Sequence, residues 1–161
     1  MSSPSRVQLA INVADLDAAI SFYSMLFQTE PAKVRPGYAN FAVLDPPLKL
    51  VLIEGGGAPG TINHLGVEVA GSDEVVAATR RLADNGLPIA VEDGVNCCYA
   101  LQDKVWVDGP DGEPWEIYTV LADATAPAGK LRDTTPGVTT CCGPAALGCA
   151  PAAVAGPSCC D

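Results

Sequence analysis

Two stretches of the chain alternate apolar and polar residues in the same way. Gln8-Leu9-Ala10-Ile11-Asn12-Val13-Ala14 aligns with His64-Leu65-Gly66-Val67-Glu68-Val69-Ala70, and three positions are identical. A period of two is that of a strand with distinct faces. Leu9, Ile11 and Val13 share one face of the first copy, and Gln8, Ala10 and Asn12 share the other. In the second copy Leu65, Val67 and Val69 oppose His64, Gly66 and Glu68. Gln8 and His64 therefore hold equivalent places, each on a face with a small residue that leaves room beside it.

Each strand is followed by helical spacing. Leu16, Ala19, Ile20, Tyr23, Leu26 and Phe27 form an apolar stripe, with Asp15 placed to cap it. In the second copy Ser72 is the expected cap, and Asp73 and Glu74 favour the positive first turn. Val75, Val76, Thr79, Leu82 and Ala83 face inward, and Asn85-Gly86 ends the helix. Residues 41–44 and 48–54 then pair around Asp45-Pro46-Pro47, and 105–108 pair with 115–120 around Gly109-Pro110-Asp111-Gly112. The expected fold class is α+β, with tandem βαβββ modules (about 6–56 and 62–121) forming a curled mixed sheet around a cavity. One module alone buries too little surface to be comfortable.

Composition sets the limits of this unit. With 48% hydrophobic and 17% charged residues, most of the chain is expected to fold into one domain, residues 1–121. Residues 122–161 are rich in Ala, Pro, Gly and Cys without a period and are expected to be a flexible tail. A net charge of −10 disfavours nucleic acid and anionic membranes as partners. Neither a signal peptide nor a membrane span is legible, so the expected compartment is cytoplasmic; a homodimer is admitted.

The seven cysteines change the picture. Six are adjacent pairs, Cys97–Cys98, Cys141–Cys142 and Cys159–Cys160, with Cys149 apart. A bridge between neighbours closes almost no loop, so such pairs staple little. Two soft thiolates side by side suit a thiol-seeking metal or metalloid, although buried cysteines also serve as small hydrophobes.

His64 is the single histidine. Glu116 lies in the strand-like Trp115-Glu116-Ile117-Tyr118-Thr119-Val120, where a carboxylate is costly to bury unless it is paired or binds a cation; a solvent-facing surface charge is the plainer alternative. Tandem modules bring the first and last strands of the second half beside the first strand of the first. Gln8, His64 and Glu116 then converge as a variant of the 2-His-1-carboxylate triad, with open positions for substrate or dioxygen. The fourth equivalent place falls at Leu50 or a neighbour, where no carboxylate stands.

On these residues the chain resembles the vicinal-oxygen-chelate superfamily, over residues 6–120. Enzymes of that superfamily place metal ligands where Gln8, His64 and Glu116 stand; many have histidine at the first position, and some glyoxalases use glutamine. The run from Asn96-Cys97-Cys98-Tyr99-Ala100 through Lys104-Val105-Trp106-Val107-Asp108-Gly109-Pro110-Asp111-Gly112 is similar to the organoarsenical carbon–arsenic lyases and their cadmium-induced relatives. The resemblance implies a non-haem Fe(II), dioxygen-dependent enzyme converting methylarsenite to arsenite, with Cys97 and Cys98 as the thiols that hold a small trivalent organoarsenical and Tyr99 beside them. The pair is expected in a loop bounded by Gly94 and Lys104, able to close over a loaded metal. Tyr99, Trp106, Trp115 and Tyr118 line the cavity or pack the core. Lys104 either places positive charge near the loop or is a solvated surface lysine. The tail cysteines deliver substrate, scavenge arsenite or are dispensable. Other readings are a thiol-based cadmium- or arsenite-binding protein, another metal-dependent superfamily enzyme, and a metal-free drug-binding protein.

Overall fold

The two repeats form β1 (Arg6–Val13) and β5 (Ile62–Glu68), which pair antiparallel at the centre of one sheet. The structure is a computed structural model and describes residues 5–97 and 99–125. A helix follows each central strand, α1 (Leu16–Phe27) and α2 (Ser72–Asp84). Three more strands complete each module: β2 (Lys33–Arg35), β3 (Tyr38–Val43) and β4 (Leu48–Glu54), then β6 (Ile89–Cys97), β7 (Ala100–Asp108) and β8 (Pro114–Asp123). The last strand of each module returns parallel to its own first strand, β4 on β1 and β8 on β5. The order β2-β3-β4-β1-β5-β8-β7-β6 follows. Two βαβββ units thus join through β1 and β5 into a curled, mixed half-barrel.

Both faces of the sheet are covered. Leu9, Ile11 and Val13 pack outward with Leu16, Phe41 and Leu52 under α1. In the second half Val75 and Ala78 of α2 seal Val105, with Leu82, Ile89 and Ile117 around them. The opposite, concave face carries the polar positions, and it is the drier one at its centre: Gln8, Asn12, His64 and Glu116 are all buried. Burying that many polar groups is tolerable only with partners inside the cup.

Several expectations are corrected in detail. Asp15 caps α1, accepting from the Ala18 amide, but Leu26 is exposed, one step past the edge of the stripe. α2 begins at Ser72 with Gly71 as its cap; the Ser72 hydroxyl instead donates to Asp103 at 2.5 Å. Its inward stripe is Val75, Ala78, Thr79 and Leu82, with Val76 and Ala83 outside. Cys97 does not sit in a loop: it ends β6, paired with Ala100 of β7. β8 continues to Asp123, and the Ala124 amide donates to the Tyr99 carbonyl at 2.9 Å, past residue 121. Cys98 and residues 126–161, with the other cysteines, lie outside the described residues. Among the described residues no helix is long and apolar enough to cross a membrane.

Candidate functional site

Strand register assembles the site. Gln8 lies opposite Gly66, and Gly66 lies opposite Glu116, so the three form a row across β1, β5 and β8. His64 is two residues from Gly66 and shares its face; Ala10 stands opposite it. The small residues are the reason the large ones meet. A Cβ at Gly66 would stand 3.1 Å from Glu116 Cγ and 3.3 Å from both Gln8 Cβ and Nε2. Gly66→Ala is therefore expected to push the two side chains apart and weaken divalent-metal binding roughly tenfold, a change of the size seen when a ligand's support is lost. Isothermal titration with a divalent metal checks this; unchanged affinity would show that the row tolerates the methyl.

Three polar groups converge above the row. The Gln8 amide Nε2 donates to Glu116 Oε1 at 2.8 Å and lies 3.0 Å from His64 Nε2. His64 Nε2 and Glu116 Oε1 are 3.4 Å apart. The tautomer of His64 follows from its neighbours. Asn63 Nδ2 donates to Asn12 Oδ1 and the Gly56 carbonyl, leaving Asn63 Oδ1 to accept from His64 Nδ1 at 2.8 Å. Nε2 then carries the lone pair that faces the carboxylate. Consecutive residues of a regular strand point to opposite faces, but the β1–β5 register shifts between Ala10 and Ile11. That irregularity lets Asn63 reach the ring beside it.

An imidazole nitrogen and a carboxylate oxygen so close, with one amide donor between them, are donor atoms that a cation would satisfy. Among the described residues no group of three or more His, Cys, Asp or Glu side chains could hold a metal ion; a third donor beside His64 and Glu116 would be the Gln8 amide. Its oxygen accepts from the Tyr118 hydroxyl at 2.5 Å. A hydroxyl both donates and accepts, so turning the amide to offer Oε1 to a cation keeps a bond to Tyr118. The set fits a divalent metal. The place equivalent to Glu116 in the first module is Val51, opposite Ala10; it is buried and apolar, so three protein donors leave coordination open.

Lys104 departs from the surface placement expected of a lysine. It is not solvated but 1% exposed, donating to Glu116 Oε2 at 2.8 Å and lying 5.2 Å from the Trp106 ring centroid. Burial would raise the Glu116 carboxyl, but the Lys104 ammonium, through its charge and hydrogen bond, holds it well below the usual carboxylate range. Burial would lower Lys104; Glu116 and Cys97 reverse this and raise it. Burial pushes the Cys97 thiol up, opposed by Lys104 through charge and a hydrogen bond.

Cys97 belongs to a buried cluster with Ala10, Tyr38, Val51, Tyr99 and Trp106. Trp106 meets the His64 ring edge-on at 5.6 Å. Tyr99 adopts φ 63°, packs on Tyr38 at 5.5 Å and donates to the Pro36 carbonyl at 3.2 Å. The β6–β7 turn is thereby anchored to the first module across the cup. A cavity of about 210 Å³ lies between, lined by Gln8, Tyr38, His64, Lys104 and Glu116 among others. Trp115 is only partly buried and, paired with Leu65 on the opposite face from Glu116, does not line this cavity.

A sheet of this topology around such a cup defines a class, and residues 6–117 match the family model of the Glyoxalase/Bleomycin resistance protein/Dioxygenase superfamily. The chain belongs to that superfamily. Within it, the chain is 58% identical over 157 residues to a protein of Thermomonospora curvata named trivalent organoarsenical cleaving enzyme, covering 97% of this chain and 99% of the relative. It is 60% identical over 140 residues to the cadmium-induced protein CadI of Mycobacterium tuberculosis, covering 86% and 92%. The crystal structure of the Mn(II)-bound glyoxalase from Novosphingobium aromaticivorans shares the fold, with a TM-score of 0.55 and 20% identity over 83% of this chain and 44% of that one.

Proposed function

We propose that the chain cleaves the carbon–arsenic bond of small trivalent organoarsenicals, converting methylarsenite to arsenite. Gln8, His64 and Glu116 would hold Fe(II), and Cys97 with Cys98 would hold the arsenic. The observation that carries this reading is the convergence of Gln8, His64 and Glu116 in one buried row, with Cys97 in the cluster whose Trp106 meets the His64 ring. An enzyme that oxidises a thiol-bound substrate needs both groups; a pure thiol trap has no use for the donor set. The relatives' names support the same substrate class.

Trivalent methylarsenic keeps one carbon and two exchangeable positions. Two adjacent thiols replace both hydroxyls as water, leaving the C–As bond facing the cup. Fe(II), when bound, supplies the redox chemistry with dioxygen that no side chain offers. The protein's own part is placement. Asn63 fixes the His64 tautomer, Tyr118 steadies Gln8, and Lys104 occupies the second oxygen of Glu116. Tyr38 lines the cup, with Tyr99 and Trp106 in the buried cluster behind it, and holding both reactants on one scaffold supplies proximity.

Cys97→Ser tests the capture. Removing one of two arsenic–sulfur bonds forfeits the chelate advantage, about 10²–10⁴-fold. Arsenite release at low methylarsenite is expected to fall by a factor in that range. Release at the wild-type rate would contradict the assignment of Cys97 and leave the tail thiols to explain the activity.

A further inference from the structure

We infer that Lys49 and Arg6 form an anion-binding subsite in the cup, and that it selects organoarsenicals whose carbon group carries a carboxylate. The choice of substrate rests on the reading above; the subsite itself does not.

Strand register extends the donor row by one more position. Gln8 lies opposite Gly66 on one side and opposite Lys49 of β4 on the other. Arg6 is two residues before Gln8 on the same face, opposite Glu68. Lys49, Arg6 and Glu68 line the same cavity as Gln8, His64 and Glu116. Glu68 Oε2 accepts from Arg6 Nε at 2.6 Å, while Glu68 Oε1 lies 3.7 Å from Lys49 Nζ, beyond hydrogen-bond reach. Two cations thus share one carboxylate. The Lys49 side chain is only 11% exposed, and its ammonium stands over the Tyr118 ring, 5.1 Å from the centroid. Burial lowers its pKa, with Glu68 opposing; an ammonium so placed is costly without a closer partner. The other lysines of the lining are better served. Lys104 donates to Glu116, and Lys33 donates to the Tyr99 carbonyl at 3.0 Å and to Asp123.

A second group in the lining also lacks a partner. Gln102 is 5% exposed, and its Oε1 has no hydrogen-bond partner among the described residues. A buried ammonium and a buried amide, both short of partners in one cup, suit a polar guest. Methylarsenite is uncharged near neutral pH and its methyl group makes no hydrogen bond, so it uses neither. A charged carrier thiol leaves when the protein's thiols take the arsenic. The anion that stays is therefore on the arsenic-bound carbon group. The spacing agrees. Val51, which packs in the cluster with Cys97, is two residues from Lys49 on β4, about 7 Å along the strand, and one aromatic ring bridges such a span.

The subsite is tested first without arsenic or metal. Isothermal titration of the reduced, metal-free full chain compares benzoate with benzamide, which matches it in shape and carries no charge. Benzoate is expected to bind about tenfold more tightly, as one charge-assisted hydrogen bond allows. Lys49→Met is expected to bring the two affinities within about twofold, and Lys49→Arg to keep the preference. Arg6→Gln takes the place of Lys49→Met if that variant does not fold. Equal affinities in wild type, or a preference that survives Lys49→Met, would overturn the subsite. Cleavage then reads the substrate class, with iron and dioxygen supplied. Trivalent para-carboxyphenyl arsenical is expected to exceed its para-carbamoyl counterpart about tenfold in kcat/KM for arsenite release, and Lys49→Met to erase that ratio. Equal kcat/KM in wild type would overturn the selection. If neither arsenical is cleaved while benzoate binds as expected, the proposed function fails and the subsite stands.

Discussion

His64→Ala is expected to lower arsenite release at least about a hundredfold, more than the loss of a mere support to a ligand costs, while capture at Cys97 stays within about twofold. The separation arises from the layout. His64 sits on β5, oriented from below by Asn63 at 2.8 Å. Cys97 ends β6, three strands away in the sheet order. Among the described residues, Trp106 and Ala10 stand between the cluster that holds Cys97 and the imidazole. Steady-state release and single-exponential capture, measured on one preparation, check the split. A protein that only sequesters arsenic would show no release in either form and unchanged capture. A variant that loses both would point to collapse of the wall where Trp106 meets the missing ring.

The second large effect is on stability. Glu116→Gln is expected to destabilise the fold by about 3–5 kcal/mol, because it removes the counter-charge of a buried lysine. That is a large share of the roughly 5–15 kcal/mol that holds a domain together. Lys104 is 1% exposed, so its ammonium is left buried without its counter-charge. The paired change Lys104→Met with Glu116→Gln is expected to recover most of the loss, since removing both charges of a buried pair is often close to neutral. Urea denaturation of the four proteins closes the cycle. Simple additivity would show that the two side chains do not depend on one another, contrary to their 2.8 Å contact.

Much of this was legible in the sequence because periodicity carries faces. The repeat of Gln8–Ala14 in His64–Ala70 contains both the topology and the shared face of Gln8 and His64. The small residues Ala10 and Gly66 announce the space between them. Glu116 was legible through the same period of two, once β8 was placed beside β5. What was not legible depends on register between elements distant in sequence. Lys104 alone in the sequence reads as a surface lysine or a charge near the loop. Only the pairing of β7 with β8 puts Lys104 opposite Tyr118 and within reach of Glu116. The same blindness made Ser72 a helix cap, when Asp103 draws its hydroxyl away. Asn63 was hidden by the irregularity beside it, which breaks the alternation that any reading from period alone assumes. Cys97 was placed in a loop because adjacent cysteines and Gly94 look irregular, yet the β6–β7 pairing carries the strand to its end. Leu26 and Val76 sit at the margins of their helical stripes, where the sheet's curvature decides what is covered.

The central claim is that the metal site and the thiol act on one organoarsenical. The most direct test loads reduced, full-length protein with Fe(II) and measures arsenite released from methylarsenite, with and without dioxygen and with and without iron. The expected result is release that requires iron and dioxygen together. Tight binding of methylarsenite with no release under any of the four conditions would contradict the claim and leave a thiol trap built on the same fold.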